Sequence, residues 1–173
     1  MNAYHEAGHV TIGFYHGIYI HEATIDRARC KGGGGFTSRA LDWTDVAYAT
    51  HTRPKKFGWV ERGETRRRID YLLAGHWAER IAWRVTKRRW PKGRPTFWGL
   101  TDYSTARFHA WLLRVPYKKR REFIRRRQAP LKELVVRLWP AVEAIAQALL
   151  RKRTLRRKEL CAITLRVARR CGI

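Results

Sequence analysis

The chain has 173 residues, with 38 Lys and Arg against 14 Asp and Glu, a net charge of +24, 45% hydrophobic residues and eight tryptophans. That apolar content excludes a disordered chain and suits a single domain over residues 1–173, while the charge predicts salt-dependent attraction to polyanions such as nucleic acid. Three scattered cysteines exclude a disulfide framework, no apolar run is long enough for a bilayer, and the GxxxxGK[ST] motif of an ATPase is missing.

The first predicted element is a helix from Asn2 to about His16. Asn2 suits an N-cap and Gly17 a C-terminal stop, with no proline between them. At about 100° per residue, Ala3, Ala7, Val10 and Phe14 form one apolar stripe, and His5, His9, Ile12 and His16 gather on the opposite side. Positions four apart share a helix face, so His5 and His9 can point their imidazoles at one ion. Glu6, beside the first histidine, can hold a water on that ion and take its proton. This is the H-E-x-x-H arrangement of zinc metallopeptidases; solvated histidines on an amphipathic helix are the plainer reading. Catalytic zinc takes three protein ligands and an open position, so a third must come from a distant segment. His16 cannot fold back from the same helix to supply it.

Ile18–Ile25 is β-branched and aromatic and predicts a strand, followed by a basic turn over Asp26–Lys31. After Gly32–Gly35 an extended pattern resumes at Phe36-Thr37-Ser38-Arg39, which predicts a short antiparallel pair. Gly34, Gly35, Phe36 and Thr37 can let a substrate backbone approach closely; a loop without function is the equal alternative. Residues 40–63 are expected to be loop and short turns. From Glu64 a helix carries Ile69, Leu72, Leu73, His76, Trp77, Arg80, Ile81 and Val85 at three- and four-residue spacings. Lys87–Leu100 is a break rich in proline and glycine. A third helix starts at Thr101 or Asp102 and runs past Pro116 into a basic continuation with Phe123 and Ile124. Pro130 is expected to open a fourth helix, apolar through Leu134, Leu138, Val142, Ile145 and Leu149 and bent at Pro140. A short helix over about Arg156–Arg170 ends the chain. No charged-then-apolar leader begins the sequence, so a reduced, cytoplasmic setting is expected.

In this order the pieces resemble the peptidase domain of the FtsH family, zinc proteases normally fused to an AAA ATPase. Ala3-Tyr4-His5-Glu6-Ala7-Gly8-His9 is similar to the family's A-x-H-E-A-G-H, with Val10 in place of a small residue. His21–Ile25 with Gly35-Phe36-Thr37 resembles the strand pair after the zinc helix, and Gly75-His76-Trp77-Ala78-Glu79 resembles the G-x-A-A-E of the next helix. Gly99-Leu100-Thr101-Asp102 is similar to the segment supplying an aspartate ligand, with a spacing one residue shorter. Leu149–Leu155 with Glu159-Leu160 resembles the closing leucine-rich helix and acidic turn.

The resemblance implies a mainly α zinc metallopeptidase fold with a short β hairpin. It implies zinc held by His5, His9 and Asp102, and Glu6 as general base. An N-cap is the other role for Asp102. Glu79 is the rival acidic ligand, preferred here as a group orienting a ligating histidine. The family's ATPase and membrane helices do not occur in these residues, and the basic load of Lys118–Arg127 and Arg151–Arg170 is foreign to its pattern. The expectation is an ATP-independent zinc metalloendopeptidase acting on unfolded or short polypeptides. The alternative is a catalytically weak peptidase-like protein that binds nucleic acid or a partner ATPase through its basic surface. Neither a ring oligomer nor an ATPase acting in trans is fixed by the sequence.

Overall fold

A computed structural model describes residues 2–26, 28, 36–39, 62–85 and 101–171 of the chain. The run Gly32–Gly35, nearly all of the expected loop over 40–63 and the break Lys87–Leu100 lie outside the described residues. Among the described residues the protein is mainly helical. In order come α1 (Asn2–Tyr15), β1 (Ile20–Thr24), β2 (Phe36–Arg39), α2 (Arg62–Val85), α3 (Thr101–Leu112), α4 (Tyr117–Arg137), α5 (Trp139–Lys152), β3 (Thr154–Arg156) and α6 (Arg157–Cys171).

The first helix stops where the sequence expects. Gly17 adopts φ +72°, and the amides of Gly17 and Ile18 donate back to Phe14 and Gly13 at 3.0 and 2.8 Å. That closure satisfies the helix's last carbonyls at a position an L side chain would strain. The expected apolar stripe is largely buried, and the burial extends well beyond it to the histidine side. Ala3, Ala7 and Val10 are buried, but so are Glu6, Gly8, His9, Thr11, Ile12 and Gly13. The histidine side faces α2 rather than water, and α1 packs against α2 more extensively than against any other element. Contact is close because the facing residues are small: a Cβ on Gly8 would stand 2.6 Å from Ala78 Cβ and 2.7 Å from the Ala74 carbonyl oxygen. On its other side α1 is covered by α5, whose Val142, Ile145, Ala146 and Leu149 are buried at helical spacing.

The strands form an antiparallel sheet in the order β2-β1-β3. β1 pairs with β2 in the register Ala23↔Thr37, with a bulge between Ile20 and Glu22. The hairpin expected from the sequence is there, but the sheet is larger than a hairpin. Thr154–Arg156 adds a third strand, pairing Ala23 with Leu155. The Thr24 and Thr154 hydroxyls meet at 2.6 Å, and Leu155 is buried beneath.

The helix boundaries in the second half also need correcting. Instead of continuing through Pro116, α3 ends at Leu112 and turns at Arg114, which has φ 61°, before α4 begins. Pro130, expected to open a helix, lies inside α4. It removes one backbone bond, at a cost of roughly 3 kcal/mol. The apolar stripe Ile124, Leu131 and Val135 runs across it and is buried, at about 1.5–3 kcal/mol per side chain, so packing outweighs the proline. The actual break falls at Leu138, and Pro140 sits in the first turn of α5, where its missing N–H costs nothing.

Candidate metal centre

The centre is assembled from α1, α2 and α3. His5 and His9 lie one helical turn apart on α1, and Asp102 is in the first turn of α3. The two Nε2 atoms are 3.1 Å apart, and Asp102 Oδ2 lies 3.1 Å from His5 Nε2 and 3.5 Å from His9 Nε2. Among the described residues these three form the one cluster of His, Cys, Asp and Glu atoms with metal-ligand spacing.

One face of α2 supports the pair through Tyr71, Gly75 and Glu79, at four-residue spacing. The Tyr71 carbonyl accepts a 2.8 Å hydrogen bond from His9 Nδ1–H. That bond fixes the tautomer and turns the Nε2 lone pair toward the cluster. Gly75 provides room: a Cβ there would stand 2.6 Å from His9 Nε2 and 2.8 Å from His5 Nε2. Buried Glu79 brings Oε2 to 3.7 Å from His5 Nδ1, the ring nitrogen turned away from Asp102 and His9. Glu79 is not one of the three residues whose ligand atoms cluster.

Electrostatics point the same way. Burial opposes a charge on His5, but the hydrogen bond to Asp102 and the Glu79 carboxylate outweigh it, with a smaller contribution from Glu6, and lift its pKa to about 10. For Asp102, burial works against ionisation, and the two histidines overcome it, holding the carboxyl well below the usual carboxylate range. Three converging atoms with lone pairs repel one another unless a cation lies among them. A proton serves in the metal-free protein. Zinc also fits this donor set. Bonds of about 2.0–2.2 Å at tetrahedral angles set ligand atoms about 3.3–3.5 Å apart, close to the three spacings here.

Glu6 is buried on the same helix, and the Thr37 hydroxyl of β2 donates a 2.8 Å hydrogen bond to its Oε2. The β1–β2 register places Thr37 there, and its carbonyl accepts from the Tyr71 hydroxyl at 3.4 Å. Of the four residues considered for substrate contact, Thr37 thus touches the site directly. Phe36 pairs opposite Thr24 in the sheet, while Gly34 and Gly35 lie outside the described residues. His16 leaves the cluster altogether, its Nε2 3.5 Å from Asp70 Oδ2.

Sequence reasoning missed the Tyr71 carbonyl, which no side-chain pattern can reveal. It also missed the bond from Thr37 to Glu6, although the strand register predicts some inward contact from β2. No family model and no curated protein matches the chain. Among the described residues, no helix is long and apolar enough to cross a membrane.

Proposed function

We propose that the protein is a zinc metalloendopeptidase related to the FtsH peptidase domain, hydrolysing unfolded or short polypeptides independently of ATP. The observation that carries this reading is the convergence of His5, His9 and Asp102 beside a buried glutamate held by a hydrogen bond. His5 Nε2, His9 Nε2 and Asp102 Oδ2 would hold the metal. Bound there, zinc polarises a carbonyl and brings the pKa of water toward about 7.

The chain's own groups do the rest. Tyr71 and Glu79 keep the imidazoles aimed. Thr37 holds Glu6 Oε2, so that Oε1 takes a proton from the attacking water and later gives it to the leaving amine. Among the described residues β2 is an edge strand, and an extended polypeptide can add to it beside Glu6.

The test is cleavage of unfolded casein by the zinc-loaded protein and by Glu6→Gln. Hydrolysis by the wild type, with a loss of orders of magnitude in Glu6→Gln at unchanged zinc content, is the expected result. Equal rates in the two proteins, or none in the wild type, would overturn the reading.

A further inference from the structure

The excess charge is not spread evenly, and one part of it breaks local rules. α4 begins Tyr117-Lys118-Lys119-Arg120-Arg121, after Pro116, with no capping side chain and no acidic residue in its first turn. A helix N-terminus carries partial positive charge and unbonded amides, so carboxylates stabilise it and cations do not. Four consecutive cations there, Lys118 to Arg121, run against that preference, although Arg120 Nε donates a 3.0 Å hydrogen bond to the Val115 carbonyl. Such violations mark places where function sets the sequence.

The surrounding residues deepen the anomaly. The guanidinium carbons of Arg107 on α3 and Arg120 on α4 each lie 5.4 Å from the centroid of the Tyr117 ring. Burial and the neighbouring Arg107 charge lower the Arg120 pKa, so these like charges are held together against repulsion. Further along α4, Glu122 pairs with Arg125 and Arg126, and Asp70 with Arg127. No carboxylate pairs with Lys118, Lys119, Arg107 or Arg120 among the described residues. Tyr117 is 69% exposed and sits among them.

We propose that Arg107, Tyr117, Lys118, Lys119 and Arg120 form a docking surface for single-stranded nucleic acid. Guanidinium forks and the open amides of the helix start bind phosphates, and the Tyr117 ring offers a base a stacking surface. A membrane fits less well, because among the described residues Tyr117 is the lone large apolar group exposed at this end of α4, which gives a bilayer little to take up. An acidic polypeptide would use the cations and leave the aromatic idle. The surface stands independently of the metal centre.

Fluorescence anisotropy of a labelled oligothymidylate on the full chain, across a salt series, tests this. Lys118 and Lys119 are exposed, so Lys118→Gln/Lys119→Gln leaves packing intact. It should weaken binding by about tenfold and reduce the salt slope by about 1.4, or 0.7 per lost phosphate contact. Lys158→Gln/Arg166→Gln on α6 removes the same charge from exposed positions and should change affinity less than about twofold. Tyr117→Ala should weaken binding and Tyr117→Phe restore it. Equal losses in the two double variants would overturn the proposal, as would polyglutamate, anionic vesicles or duplex binding as tightly as the single strand.

Discussion

Gly75 and His9 are in contact across the α1–α2 interface, so closely that a Cβ on Gly75 would stand 2.6 Å from His9 Nε2. The same Cβ would meet His5 at 2.8 Å, so alanine at this position invades the space where the ligand atoms converge. Gly75→Ala should weaken zinc binding at least tenfold and destabilise the fold by about 1–3 kcal/mol through overpacking. Competition with a zinc-sensitive chelator measures the first and denaturant unfolding the second. Unchanged zinc affinity would mean that the imidazoles do not meet a metal against this face of α2.

Thr37→Val removes the hydroxyl that holds Glu6 while keeping a β-branched residue in the strand. A hydrogen bond to a charged group contributes about 1.5–3 kcal/mol, which corresponds to roughly ten- to a hundredfold in kcat/KM. Peptidase activity should fall by that amount with zinc retained, and Thr37→Ser should keep most of it. An unaffected kcat/KM in Thr37→Val would remove Thr37 from the account of Glu6.

Much of the site was legible because it is local: one helical turn sets His5, Glu6 and His9, and side-chain type alone suggests their chemistry. Asp102 was reachable through the resemblance, since nothing within α1 says which distant carboxylate folds back. The sheet's third strand was not legible. Thr154-Leu155-Arg156 is too short to show alternation and lies between two helical patterns, and only its pairing with β1 makes it a strand. Pro130 and Pro140 misplaced the helix boundary because proline was weighed without the buried Ile124, Leu131 and Val135 that carry α4 across it.

Stability of the metal-free protein should depend on pH through the His5–Asp102 pair. His5 is raised from 6.5 to about 10, so its contribution is full below about pH 6.5 and is lost as the pH climbs toward 10. Asp102 is lowered from 3.8, so its contribution is present above that pH and fades as the pH falls toward the folded value. Urea unfolding in the presence of chelator should therefore give a midpoint that declines from about pH 6.5 to 10, with a shallower decline in His5→Ala. A midpoint that is flat or rising over this range would contradict the ion pair.

The two acidic groups near the histidines should separate by degree. Asp102→Ala removes an atom from the cluster and should weaken zinc binding severely, whereas Glu79→Ala should cost only about 10- to 100-fold, as expected for a group that orients a ligand. Titration of both variants with a chelator of known affinity orders them. The reverse order would place Glu79, not Asp102, on the metal.

The central claim is that His5 and His9 share one zinc ion, and the zinc content of the purified chain after dialysis tests it most directly. One zinc per chain in the wild type and none in His5→Ala/His9→Ala is the result the geometry predicts. Stoichiometric zinc in the double variant would contradict it and leave the imidazole pair as a proton-bridged packing contact.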